Sequence, residues 1–183
     1  MKSIKPNSGK ARLATVWLDG CSGCHMSLLD IDEVLLDVAP RIELVFGPLM
    51  DAQVFPSGVD VTLVEGAVSN QDDLKLAQKI RLNSRIVVAL GDCAVTSNVP
   101  SMRNTIPVRA LLNRVYTQGA DVNAVPPDDG VPQLARHAVP LHEVIKVDLH
   151  VPGCPPKPSA IAQVILQLLD GKKSELTGLV KFG

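Results

Sequence analysis

Cysteine is the residue type in this chain with the most scope for chemistry, and the 183 residues include only four. Two of them, Cys21 and Cys24, form a Cys-x-x-Cys pair in the stretch DGCSGC, directly after the apolar run LATVWL. The other two stand alone, Cys93 in LGDC and Cys154 in VPGCPP. Thiolates bind zinc or iron–sulfur clusters, or carry out thiol–disulfide exchange, so the placement of all four decides which chemistry is available.

The elements that must position these cysteines are short apolar runs separated by helical patterns. Runs that are apolar throughout are typical of parallel strands covered on both faces, which predicts an α/β fold. We therefore expect a doubly wound, mostly parallel five-stranded sheet, with a flavodoxin-like strand order by analogy. The predicted strands are residues 13–18, 42–46, 59–64, 86–90 and 144–149, and the main predicted helices are 26–38, 70–83 and the segment from Ser159 to Gly171.

Each cysteine follows the carboxyl end of a predicted strand. The Cys-x-x-Cys pair comes after the first strand, Cys93 after the fourth and Cys154 after the fifth. In a parallel sheet these ends lie at one edge, which is where open α/β folds bind their ligands. We therefore expect the four thiols to meet at that edge.

Four thiolates at one site favour a single [4Fe–4S] cluster. A tetrahedral zinc site is the main alternative, although zinc ribbons usually use two paired Cys-x-x-Cys motifs. A thioredoxin-like pair would explain Cys21 and Cys24 but leaves Cys93 and Cys154 without a role. Inert burial stays open for any one thiol, and disulfides are disfavoured in a reducing compartment.

Residues beside the cysteines are candidates for contacting the bound group. Gly23, Gly91 and Gly153 would let backbone N–H groups approach cluster sulfur atoms, which accept such hydrogen bonds. Glu65 ends the third predicted strand at the same edge. It is interpreted either as a residue that bonds the cysteine loops or a partner subunit, or as a capping or solvated carboxylate.

Three further residues receive weaker interpretations. Asp92 precedes Cys93 and is expected to cap a turn. His25 follows Cys24 and is interpreted as a donor to the bound group or as the start of a helix, because four thiolates leave no need for a fifth ligand. Trp17, at the end of the first run, is predicted to lie in the core.

A proline-rich excursion at about residues 97–143 interrupts the alternation of strands and helices within a single predicted domain, residues 1–183. A short helix is predicted over residues 108–116, and the remainder has no regular pattern. Long segments of this kind in compact domains are usually functional. We interpret this one as an ordered docking surface for another subunit.

Composition restricts the class of protein. Apolar residues make up 46% of the chain, aromatic residues 3%, and the formal net charge is −1, which indicates a globular domain and disfavours a nucleic-acid partner. The sequence shows no membrane-spanning stretch, secretory leader or twin-arginine motif. We therefore expect a cytoplasmic location, where cysteines are more often metal ligands than disulfides.

The motifs CSGC, EGAV, GDCA and PGCPP, in this order, resemble the small subunit of [NiFe] hydrogenases over about residues 12–170. The resemblance implies that Cys21, Cys24, Cys93 and Cys154 bind one proximal [4Fe–4S] cluster. It also implies that this cluster lies beside a nickel–iron centre on a partner large subunit and relays electrons from it.

A short chain with four cysteines and no leader is similar to the small subunit of the cytoplasmic, bidirectional NAD-reducing hydrogenase. The resemblance implies a second partner, a diaphorase module with FMN and further clusters that reduces NAD, and no catalysis by the isolated chain. FMN is not expected in this chain, because cysteines occupy the turn where flavodoxins hold phosphate. The related quinone-reductase (complex I) subunit remains an alternative, but it typically has two adjacent cysteines in place of Cys-x-x-Cys.

Overall fold

Five parallel strands form the central sheet of the computed structural model, which describes residues 9–122, 125–172, 178, 180 and 182. When only the five strands of this sheet are counted in chain order, the order across the sheet is second, first, third, fourth, fifth. Flavodoxin has the same order, which confirms the predicted fold class. The strands are β1 (Ala11–Trp17), β2 (Ile42–Phe46), β3 (Val59–Glu65), β5 (Ser84–Leu90) and β7 (Leu149–Val151), and a separate antiparallel pair joins β4 (Val68–Asn70) to β6 (Leu134–Val139).

Both faces of the sheet are covered, because apolar residues on the central strands point to both sides. On one face Leu63 packs in a cluster with Ile161, and on the other Val64 packs in a cluster with Ile80. Fully burying side chains of this size stabilises the fold by about 1.5–3 kcal/mol each. The helices are α1 (Gly23–Leu29), α2 (Val34–Val38), α3 (Gln71–Asn83), α4 (Asp92–Thr96), α5 (Val108–Leu112) and α6 (Pro158–Leu169). Within the described ranges, none of them has the length and apolar character of a bilayer-spanning helix.

The prediction of a single helix over residues 26–38 is wrong, because the chain turns in the middle of this segment. Helix α1 ends at Leu29 and α2 begins at Val34, and Asp32 between them has a left-handed backbone with φ of +49°. The turn buries Ile31 against the core. Apolar residues keep a helical spacing across the turn, so periodicity alone did not reveal the break.

The fifth strand was predicted too early in the chain. Ile145 packs into the core, and pairing with β5 starts only at Asp148, whose N–H donates to the Val87 carbonyl at 2.9 Å. The Asp148 carboxylate accepts from the Val87 N–H, also at 2.9 Å. Strand β7 therefore begins at Leu149, and Cys154 still follows its carboxyl end closely.

The excursion at residues 97–143 is more regular than its prolines suggest. It contains two 3₁₀ helices, Val99–Thr105 and Leu141–Glu143, and α5 continues into a π-helical turn at Asn113–Gln118. The predicted helix over residues 108–116 corresponds to α5 and most of this turn. The pairing of β6 with β4 was not predicted, because β4 has only three residues. Residues 123–124 lie outside the described residues.

Two polar side chains of the first 3₁₀ helix bond to the backbone of the small antiparallel pair. Arg103 donates to the carbonyls of Ser69 and Ala135 at 3.0 and 3.1 Å. The Asn104 side chain exchanges two hydrogen bonds of 2.8 Å with the backbone of Ala138. A groove of about 720 Å³ lies beside these contacts, between α5 and β6.

Candidate metal centre

The four cysteines lie in turns that follow three strands of the sheet. Cys21 precedes α1, and Cys24 is the second residue of that helix. Cys93 is the second residue of α4, directly after β5, and Cys154 follows β7. Gly23, at the start of α1, lies close to Cys21, since a Cβ there would be 3.2 Å from the Cys21 Sγ. Because the three strands are parallel, all four cysteines are at the same edge of the sheet.

The thiols at this edge influence one another electrostatically. Burial raises the pKa of the Cys24 thiol above its ordinary value, and the negative charges of Glu65 and the other three cysteines raise it further. Burial also raises the pKa of Cys93, although the Val99 N–H donates to it and acts in the opposite direction. Two of the other cysteines and Glu65 add to the rise at Cys93. A bound cationic group would therefore have to displace the thiol protons.

Gly91 provides the space in which Cys24 lies against the end of β5. A Cβ at residue 91 would be 2.2 Å from the Cys24 Sγ, and the backbone there has φ of +82°. Gly153 also has a positive φ, +139°, and a Cβ there would approach the Pro156 Cα to 2.6 Å. Only glycine fits these two positions without moving the cysteine turns.

Glu65 joins the end of β3 to the turn that carries the first cysteine pair. Its carboxylate is 1% exposed and accepts from the His25 N–H at 3.0 Å and from the His25 imidazole Nδ1 at 2.5 Å. Its backbone carbonyl accepts from the Leu18 N–H at 2.9 Å. Glu65 thus bonds a cysteine loop and is not a solvated carboxylate. The other imidazole nitrogen, Nε2, is buried and has no hydrogen-bond partner among the described residues.

Asp92 joins the turns of Cys93 and Cys154. Its Oδ1 accepts from the Gly153 N–H at 2.6 Å, and its own N–H donates to the Gly153 carbonyl at 2.9 Å. The carboxylate therefore does more than cap a local turn, because it reaches a residue 61 positions away in the sequence. Neighbouring backbone groups continue the contact, since the Gly91 N–H donates to the Val151 carbonyl at 2.8 Å.

Ser27 supplies a contact that sequence analysis missed. Its buried hydroxyl donates to the Pro156 carbonyl at 2.5 Å, which ties α1 to the loop of Cys154. The peptide bond between Cys154 and Pro155 in that loop is cis. The sequence did contain a signal for this contact, because Ser27 follows Cys24 by three positions and so lies on the same, inward-facing side of the helix. A hydroxyl buried there needs a hydrogen-bond partner.

The chemistry of this edge fits an iron–sulfur group. Among the described residues, no three His, Cys, Asp or Glu side chains surround a point where a single metal ion could bind. A [4Fe–4S] cluster needs no such point, because each of its four thiolates binds a different iron atom. The four thiols, the space at Gly91 and the unpartnered Nε2 of His25 suit a group with sulfur acceptors.

Trp17 was predicted in the core, and this is wrong. It is the last residue of β1 and is 48% exposed. Its side chain lines a surface cleft with Phe46 and Met50, close to the edge where the cysteines lie. A run of apolar residues does not reveal which of its members reaches the surface at the end of a strand.

Comparison with known protein families gives a match over most of the chain. The family described as NADH ubiquinone oxidoreductase, 20 kDa subunit, matches residues 21–168. The matched span includes all four cysteines. It also includes the residues that link their turns.

Two relatives are hydrogenase subunits. The chain is 41% identical over 167 residues to a subunit of the F420-non-reducing hydrogenase vhu of Methanocaldococcus jannaschii, an alignment that covers 90% of this chain and 58% of that subunit. It is 35% identical over 173 residues to the NAD-reducing hydrogenase HoxS subunit delta of Cupriavidus necator, covering 92% of this chain and 83% of that subunit. The chain thus spans less than two thirds of the methanogen subunit but most of the HoxS subunit.

A solved structure matches over nearly the full length. The crystal structure of an NAD⁺-reducing [NiFe]-hydrogenase in the H₂-reduced state contains a chain that is 34% identical, with a TM-score of 0.91. The match covers 95% of this chain and 99% of that chain. The chain therefore belongs to the family of the 20 kDa subunit of NADH ubiquinone oxidoreductase, and the delta subunit of the NAD-reducing hydrogenase is its homologue.

Proposed function

We propose that this chain is the electron-transfer small subunit of an NAD-reducing [NiFe] hydrogenase. In this proposal Cys21, Cys24, Cys93 and Cys154 hold one proximal [4Fe–4S] cluster. The observation that carries it is the presence of four free thiols, from three separate strand ends, at one edge of the parallel sheet. Such a cluster, when bound, accepts and releases single electrons.

The chain's own residues hold and surround this site. Glu65 fixes the turn of the first cysteine pair through His25, and Gly91 leaves room for Cys24. Gly23 and Gly153 permit the close approaches within the cysteine turns. Hydrogen bonds around these turns would tune the reduction potential of the cluster. We assign no proton transfer and no bond cleavage to this chain. Splitting of H₂ would take place at a nickel–iron centre on a partner large subunit.

The acceptor we propose is NAD, reached through a diaphorase module. Support comes from the 35% identity to the delta subunit of the NAD-reducing hydrogenase HoxS, which extends over 92% of this chain. The TM-score of 0.91 to the NAD⁺-reducing enzyme points the same way. We place the complex in the cytoplasm and the FMN on the diaphorase module, outside this chain.

Anaerobic purification of the chain with its large subunit tests the proposal. We expect iron and acid-labile sulfide in the ratio of a [4Fe–4S] cluster, an electron paramagnetic resonance (EPR) signal after reduction, and H₂-dependent reduction of NAD⁺ once the diaphorase is added. Purified protein that contains zinc and no iron would contradict the proposal and indicate a zinc-stabilised binding module. NADH-dependent quinone reduction without hydrogen activity would replace it by a complex I-like subunit, and FMN bound to the isolated chain by a flavodoxin-like protein.

We further propose that residues 97–143 dock the diaphorase through the groove between α5 and β6. Arg109, Arg136 and His137 line this groove together with apolar residues such as Ile106 and Leu112, and no acidic residue among those the structure describes lines it. Arg103 and Asn104 hold its β6 wall rigid. A groove with apolar walls and cationic side chains in its lining fits an acidic segment of a partner protein.

Reversing these charges should disconnect the two modules. We expect the double variant Arg109→Glu, Arg136→Glu to lower H₂-dependent NAD⁺ reduction at least about tenfold, because like charges across an interface cost several kcal/mol. Reduction of a viologen dye by H₂ should stay at the wild-type rate. Arg114→Glu, in the π-helical turn outside the groove, is the matched control. Unchanged NAD⁺ reduction in the double variant would rule out docking at this groove.

A further inference from the structure

Asp92 is a buried carboxylate at the centre of the candidate site. It is 4% exposed, lies next to Cys93, and bonds both the N–H and the carbonyl of Gly153, the residue before Cys154. The bond to the Gly153 N–H is made by the side chain, and it crosses from the start of α4 to the loop after β7. The Asp92 side chain therefore links two cysteine-bearing turns that are far apart in the sequence.

We propose that Asp92 is a positioning residue that fixes Cys154 relative to Cys93 and lowers the reduction potential of the cluster they hold. This inference rests on the proposed function, since it needs a cluster at the four cysteines. A fixed negative charge in a poorly solvated place disfavours the addition of an electron nearby. Groups that hydrogen-bond the ligand loops control both retention of the metal group and its potential.

Two substitutions separate the positioning effect from the charge effect. Asp92→Asn keeps an oxygen that accepts from the Gly153 N–H but removes the negative charge. Asp92→Ala removes both. Asp148→Asn is the matched control, because Asp148 also accepts from a backbone N–H, that of Val87, but lies where β7 begins, at the opposite end of the strand from Cys154.

The test uses the assembled complex, with iron content and an EPR-monitored redox titration of the cluster as measurements. We expect Asp92→Asn to keep most of its cluster with a midpoint potential shifted to less negative values, and Asp148→Asn to match the wild type. Asp92→Ala should lose its cluster to a chelator about tenfold faster or more, as is usual when a residue behind a metal ligand is removed.

Several outcomes would overturn the inference. A wild-type midpoint potential in Asp92→Asn would contradict the effect of the Asp92 charge. Wild-type retention of the cluster in Asp92→Ala would contradict the positioning role. If Asp92→Asn holds too little cluster to titrate, amide exchange at Gly153 decides, and a wild-type rate in Asp92→Ala contradicts the hydrogen bond. A wild-type complex with no iron would instead refute the proposed function and leave the contact between Asp92 and Gly153 standing.

Discussion

Replacing Cys93 or Cys154 by serine is expected to abolish the iron–sulfur EPR signal and H₂-dependent electron transfer as completely as replacing Cys21 or Cys24. In the proposed site each thiolate binds a different iron atom, so the loss of any one leaves an iron atom without its protein ligand. Iron content per chain and the EPR signal of the reduced complex measure this.

Met26→Leu is the control for this series. It removes a sulfur atom two positions from Cys24, from a side chain that is 59% exposed, and should keep the full cluster content. A thioredoxin-like site makes the opposite prediction, in which only the variants at 21 and 24 lose activity. Wild-type iron content in Cys93→Ser or Cys154→Ser would remove the four-thiolate assignment.

Gly91→Ala should be nearly as damaging, although it changes no ligand. The added methyl group would lie 2.2 Å from the Cys24 Sγ, so either Cys24 or the end of β5 must move. With φ of +82° and ψ of 162°, residue 91 has a backbone conformation that is essentially restricted to glycine, which adds a strain of about 1–3 kcal/mol for alanine. We expect loss of the cluster together with lower stability of the metal-free chain, measured by iron analysis and urea unfolding.

Gly130→Ala separates these two causes. Gly130 has a similar φ, +72°, but no atom lies within 4 Å of the position its Cβ would take. This variant should show only the backbone strain, a destabilisation of about 1–2 kcal/mol, and keep its cluster. Equal effects of the two substitutions on iron content would mean that contact with Cys24 is not the reason Gly91 is needed.

The placement of the cysteines at one edge of the sheet could be predicted because it depends on topology. Apolar runs alternating with helices specify a parallel sheet, and a parallel sheet puts every carboxyl strand end at one edge. The roles of Ser27 and Asp92 could not be predicted in this way. Each bonds a backbone group more than 60 positions away, and which groups meet across two turns depends on loop conformations that have no periodic pattern.

The errors in the predicted elements have a related cause. Strands β4 and β6 pair across more than 60 positions, and the hydrogen bonds of Arg103 and Asn104 to their backbone are likewise distant in sequence, so no local pattern indicates this pairing. The start of the last strand was misplaced because residues around Ile145 are as apolar as a strand but pack on the core. Apolar character indicates burial, and only pairing partners distinguish a strand from a buried loop.

The wide spacing of the thiols has a consequence for biosynthesis. Cys154 follows Cys24 by 130 positions, so at typical translation rates the last sulfur leaves the ribosome on the order of 10 s after the first pair. During that interval the nascent chain has an incomplete set of thiols and an unfinished sheet to shelter them. The four-thiolate group that we propose can therefore be completed only after Cys154 has emerged, when all five strands of the central sheet have been synthesised.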